Sequence, residues 1–349
     1  MSKRRALLLT IVMAVAVLVT AACGGGGAGS SAAGGAPTVR YGVYEPGLDS
    51  GFLLMAQEKQ LWRKHGVNVE ISRFKSAAQA FPALLSGQVD VIQANPSEAL
   101  LAAEKGAKLG IIGSTMPGLD YVLYAKPKFG SVKDLAGATL GIATPNSLPT
   151  VTAKAILMAS GVDPGSVKLV NSGGSPDRYH AVVGGVVDAA SSPLDYVSQA
   201  KTDGVKVLAK AKDTVPRYPR YVLVARKDFL AEHPDGAVGL IAGLVEGIRY
   251  GLDHEQEAEA LAAKTVGGLS ANDPRVTSLY REFKDGGYLA SNGEIPVDGI
   301  KYVADLQFRL GLADKVIDPT PLIDDSFRHR AIAQVGQVAS TYYGATHGG

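Results

Sequence analysis

Cysteine is almost missing from this chain. Of 349 residues only Cys23 carries a thiol, which excludes an internal disulfide, a cysteine-based zinc site and an iron–sulfur cluster. Histidine is sparse as well. His65, His180, His233, His254, His329 and His347 form neither a His-x-x-x-His pair nor a Glu-flanked one, so the usual helical zinc-hydrolase pattern is lacking. There is no Gly-x-Ser-x-Gly elbow, no Gly-Lys-Ser/Thr phosphate loop and no Asp-rich calcium loop. No catalytic residue, metal or cofactor is therefore expected. Strong charge of either sign is also lacking: 35 bases face 33 acids, and three of the bases sit together at Lys3, Arg4 and Arg5. Nucleic acid asks for a basic face that this balance does not supply. Beyond the first residues no apolar run is long enough to span a bilayer.

What is present begins with export. Lys3-Arg4-Arg5 precedes the apolar run 6–19, and Thr20-Ala-Ala-Cys23 follows. A basic start, a short apolar segment and small residues before a cut describe a secretory signal peptide over residues 1–22. Cys23 directly after two alanines predicts lipid attachment, although Thr20 stands where an aliphatic residue is usual. The Gly- and Ser-rich stretch up to Pro37 reads as a flexible tether of roughly 20 Å. A monomer is expected, secured to the outer face of the cell membrane.

Apolar residues make up 46% of the chain and charged ones 19%, enough for a large core. From Val39 the pattern alternates strand and helix, and it does so twice. LSGQVDVIQANPSEALLA (85–102) and VGGVVDAASSPLDYVSQA (183–200) share Gly-x-Val-Asp, then small polar residues, then Pro-x-acid before a helix. Glycine suits a helix end, and proline the first turn of the next helix. The alternation predicts an α/β fold with parallel sheets in two doubly wound lobes. DYVLYAKPKF (120–129) precedes the second copy and RYVLVARKDF (220–229) follows it, predicting a two-strand hinge. Lobe I is expected at 38–124 and 222–330, lobe II at 125–221, and a C-terminal helix with a frayed tail at 331–349. A helix is expected over 52–66, and the amphipathic helices after Phe229 are expected to cover lobe I.

Ligands of open α/β sheets bind beyond the carboxyl ends of the strands. Each loop there carries hydroxyls or amides at a helix start, where unpaired N–H groups point outward. The candidates are Tyr44, Ser50 and Phe52 around EPGLDSG; Ser76 in KSAAQ; and Asn95 and Ser97 in ANPSE. In the second copy they are Thr144, Asn146 and Ser147, Ser172, and Ser192 with Asp195. Tyr218 and Arg220 stand just before the returning hinge strand. For each hydroxyl and amide, helix capping is an equal alternative; for the aromatics, core packing is. Arg217 or Arg220 suits an anion, whereas Glu45 and Asp49 suit a cationic or donor group, so the ligand's charge stays open.

The opening VRYGVYEPGLDSGFLLMAQEKQLWRKHGVNVEI, the block SGQVDVIQANPSEALLAAEKGAKLGII and VKDLAGATLGIATPNS resemble solute-binding proteins of ABC importers. The similarity is to the taurine, nitrate and aliphatic-sulfonate type, which includes binders of thiamine-pyrimidine precursors. It covers nearly all of 38–330. It implies a type II periplasmic-binding fold whose lobes close on a small organic or oxyanion solute and present it to a permease and its ATPase. An exported enzyme on the same fold, acting on a heterocycle, or a ligand-sensing subunit are the alternatives. A pyrimidine synthase of this fold would need a cysteine cluster, and the chain has none.

Overall fold

The structure, a computed structural model, describes residues 36–44 and 47–344. The expected signal peptide, Cys23, most of the tether, Glu45 and the last five residues lie outside the described residues.

Among the described residues, ten strands form two five-stranded sheets. They are β1 (Thr38–Tyr44), β2 (Asn68–Phe74), β3 (Val91–Ala94), β4 (Leu109–Met116), β5 (Tyr121–Ala125), β6 (Thr139–Ile142), β7 (Lys168–Asn171), β8 (Ala189–Pro193), β9 (Lys206–Lys210) and β10 (Tyr221–Arg226). The first sheet runs β2-β1-β3-β10-β4 and the second β7-β6-β8-β5-β9. The two orders are the same when β10 is matched with β5, so the repeated sequence pattern builds the same sheet twice. The alternation predicted parallel sheets, but neither sheet is fully parallel. β10 runs antiparallel to β3 and β4, and β5 antiparallel to β8 and β9. Each is the strand the chain lays down as it enters a lobe from the other one, so its direction is reversed.

That pairing also moves the first boundary. All of β5 belongs to the second sheet, so the chain leaves lobe I before Tyr121 and not after 124. The C-terminal helix is Ser326–Val335 and starts earlier than expected. The helix expected over 52–66 breaks into Ser50–Leu53, Met55–Glu58 and a 3-10 turn Leu61–His65, with Gln60 at φ 54°. Trp62 accounts for the break. Its indole donates to the Leu240 carbonyl at 3.1 Å, and it packs so closely on Gly243 that a Cβ there would lie 2.2 Å from Trp62 Cδ1.

The Gly-x-Val-Asp repeat has one structural job in both lobes. Asp90 accepts from the Arg40 backbone N–H at 2.9 Å and from its guanidinium, while Asp90 N–H returns to the Arg40 carbonyl. Asp188 accepts from the Thr139 N–H at 3.0 Å and its hydroxyl at 2.8 Å, with the same return bond. A base at the end of each reversed strand completes the pair: Arg226 lies 3.5 Å from Asp90, and Lys126 3.3 Å from Asp188. Backbone N–H and hydroxyl donors from Thr139 hold the Asp188 carboxyl far below the usual carboxylate range. Both locks sit where the parallel strands begin, opposite the edge that carries the ligand candidates.

Helices after β10 pack on lobe I, with Leu240, Ile241 and Leu244 against Tyr41, Val67 and Leu223. The helix Pro274–Gly286 does more than the sequence suggested. It also reaches lobe II, where Lys210 pairs with Glu282 at 2.8 Å and Lys212 donates to the Gly286 carbonyl at 2.6 Å.

Candidate functional site

Parallel strands end, and reversed strands begin, at one edge of each sheet. Tyr121 pairs with Pro193, and Val222 with Ala94. The edge therefore gathers Tyr44, Asn95–Glu98, Asp120–Tyr121, Ser192–Asp195 and Arg220–Tyr221.

At its base an ion pair joins the two chain crossings. Asp120 precedes β5, Arg220 precedes β10, and their side chains meet directly, both nearly buried. Arg220 also lies 3.5 Å from Asp49, donates to the Tyr221 hydroxyl at 3.0 Å, and sits over the Tyr221 and Tyr121 rings at 4.5 and 5.6 Å. Burial opposes its charge, but Asp120, Tyr221 and Asp49 outweigh that and hold its pKa above the ordinary arginine value. The lobes touch beside it. The Leu48 backbone of lobe I lies beside the Asp195 carboxylate of lobe II and favours its charged form. Gly47 is packed against the same carboxylate, where a Cβ would lie 3.0 Å from Oδ1.

The acids here are hard to ionise. Burial pushes Asp195 up to about 7, with Asp49 and Asp120 adding repulsion and Arg220 opposing it. Burial raises Asp120 to about 6 against the pull of Arg220. Burial likewise raises Glu98 to about 7, although the Tyr44 hydroxyl donates to it at 3.2 Å. On the lobe II side Arg178 is 2% exposed. It donates to the Ser191 and Gly173 carbonyls, both at 2.8 Å, and to the Ser175 hydroxyl at 3.0 Å. Burial lowers its pKa.

Several predicted residues are occupied by the fold. Asn95 caps the helix Pro96–Glu104 by accepting from the Ser97 N–H, and donates to the Pro219 and Arg220 carbonyls, both at 3.1 Å. Its amide thus ties the first lobe to the returning crossing. Phe52 does not face the cleft: it stacks on Tyr280 at 5.3 Å, next to Phe283, inside the core. Ser192 donates to the Ser175 carbonyl and Ser172 to the Val170 carbonyl. Ser147 and Thr150 both donate to the Thr144 carbonyl, while Thr144 and Asn146 are exposed. Ser76 is exposed at the start of the helix Ala77–Leu85 without a side-chain cap bond. By contrast the Ser50, Ser97 and Tyr218 hydroxyls are buried with no hydrogen-bond partner. Sequence reasoning missed Glu98, Asp120, Tyr121, Arg178 and Tyr221. A signal for one pair was present: Asp120-Tyr-Val-Leu and Arg220-Tyr-Val-Leu put opposite charges at matching positions of the two hinge strands. Two open surface pockets lie away from this cluster, one along Thr277–Gly286 and one between Met158 and Tyr302.

The sequence pattern of NMT1/THI5-like proteins matches residues 48–258. The chain belongs to the NMT1/THI5-like family. A Bacillus subtilis protein named for binding aliphatic sulfonates is 25% identical over 292 residues, covering 81% of this chain and 85% of that one. The Escherichia coli periplasmic aliphatic sulphonate-binding protein SsuA superposes with a TM-score of 0.66 at 20% identity, covering 82% and 92% of the two chains. The periplasmic nitrate-binding protein NrtA of Synechocystis gives 0.68 at 12% identity, covering 88% and 92%. This member of the NMT1/THI5-like family thus has the periplasmic-binding-protein fold, and its mixed sheets follow from that architecture.

Proposed function

We propose that this chain is the extracytoplasmic solute-binding component of an ABC importer. It captures a small solute between its lobes and hands it to a membrane permease driven by an ATPase. The observation that carries this reading is the meeting of Asp49 of lobe I, Asp195 of lobe II and the hinge pair Asp120–Arg220 in one buried polar cluster. Such a cluster forms only when the lobes approach, so a guest contacting both lobes gains affinity from closure. The names of the relatives support the solute-binding role. Asp195, Arg220, Tyr44, Ser50, Ser97 and Tyr218 are the contacts we assign from the predicted set.

Isothermal titration against sulfonates, nitrate, pyrimidines and amines tests the reading. Binding without turnover is expected, together with loss of uptake when the gene is deleted. Conversion of a bound compound to product would overturn it in favour of an enzyme. Cys23 is the attachment point in this reading, through lipid on its thiol. Cys23→Ala should shift the protein from the membrane fraction to the medium or periplasm, and a variant still in the membrane fraction would remove that assignment.

A further inference from the structure

Resting on the solute-binding reading, we propose that the solute carries a protonated nitrogen group, an amine- or amidine-type cation. Asp49 of one lobe and Asp195 of the other hold it, with Asp120 at its back.

Three observations converge. The first is where the carboxylates come from. Asp49 and Asp195 belong to different lobes, and the contact of Gly47 and Leu48 with Asp195 sets them facing one another. A cation between them joins the lobes, whereas nothing between them leaves two like charges opposed.

The second is unspent acceptor capacity. Asp120 is 2% exposed; one oxygen is held by Arg220, and Oδ1 has no partner. The hydroxyl of Ser50, next to Asp49 and 1% exposed, has none either. Buried acceptors left open are costly, and a group rich in N–H donors is their complement.

The third is that the cluster holds three carboxylates against two guanidinium groups that already bond within the fold, with only Arg220 Nε buried and unpaired. Arg220 is held by Asp120, Asp49 and the Tyr221 hydroxyl. Arg178 donates to two backbone carbonyls and to the Ser175 hydroxyl. An oxyanion reaching the open Arg220 Nε would have to lie beside Asp49, Asp120 and Asp195. A cation finds three carboxylates against the single charge of Arg220, whose guanidinium sits over the Tyr121 and Tyr221 rings. Burial is the main cause of the raised Asp120 and Asp195 pKa values, with Asp49 adding repulsion to both and Arg220 opposing it. The reading runs against the relatives named for sulfonates and nitrate, both anions.

The test uses purified full-length protein and the small-molecule filtrate of a bacterial extract, divided on cation- and anion-exchange resins near neutral pH. Tm is measured with each fraction. A rise is expected with the cation-exchange-retained fraction alone, and Asp195→Asn should weaken the response at least tenfold in the amount needed. Asp49→Asn serves as the second variant should the first not fold. A rise with only the anion-exchange-retained or unretained fraction overturns the inference and leaves the binding-protein reading standing. So does a response to the cationic fraction that survives both substitutions. If no fraction raises Tm, the binding-protein reading itself falls, and the inference with it.

Discussion

Truncating Arg220 would leave Asp49, Asp120 and Asp195 around a space without their guanidinium. Breaking a buried pair from one side is far more damaging than replacing both partners. Arg220→Ala should therefore cost about 3–5 kcal/mol by denaturant unfolding, and an unchanged midpoint would contradict the pair's burial. The raised carboxyls set a pH dependence. Asp195, Asp120 and Glu98 bind protons more tightly folded than unfolded. The stability from their protonation is complete below the ordinary carboxylate pKa and lost as pH rises through 6 to 7. Solute-free Tm should therefore rise as pH falls from about 8 to about 5. Asp188 and Asp273 have lowered values, Asp273 about 2, and act in the opposite sense only at lower pH. Asp195→Asn should raise solute-free Tm at about pH 8 and change it little at about pH 5. A flat wild-type profile would contradict this account.

At the scale of elements, the two Gly-x-Val-Asp turns are matched locks between neighbouring parallel strands, β1 and β3 in one lobe and β6 and β8 in the other. Asp90→Ala and Asp188→Ala should each destabilise by about 1.5–3 kcal/mol, the range for hydrogen bonds to a charged group. They lie in different sheets, so their effects should add. Both should leave solute affinity unchanged, because they sit at the opposite strand ends from the candidate site. A loss of affinity with stability intact, read by titration calorimetry, would contradict that separation. Asn95 belongs at this scale too. Its amide holds a helix start and a hinge crossing together, so its removal should act through stability first.

For the whole molecule, the contact of Leu48 with Asp195 and the bonds from Lys210 and Lys212 to the helix Pro274–Gly286 describe lobes drawn together. The radius of gyration from small-angle scattering should fall when the solute is added. Equal radii with and without solute would show that closure is not coupled to binding. The helix Pro274–Gly286 would then be a fixed strap between the lobes and not one that forms on closing.

Much of this architecture could be read directly from residues. Strand and helix periods, glycine at helix ends and proline at helix starts are local signals, so the two similar lobes and the hinge pair at 120–129 and 220–229 were legible. The two Gly-x-Val-Asp turns were legible as a repeat, because each lobe solves the same backbone problem with the same residues. Tertiary structure alone decided the rest. The reversed direction of β5 and β10 depends on which sheet the chain enters, and no local period records direction. The break near Gln60 depends on Trp62 docking on Gly243, nearly two hundred residues away. Phe52 became core because Tyr280 and Phe283 lie against it. Above all, the cleft's balance of charge depends on which acids meet which arginines. Pairing is a matter of distance and burial, so Asp120, Asp195 and Arg220 acquired their joint meaning only when folding brought them together.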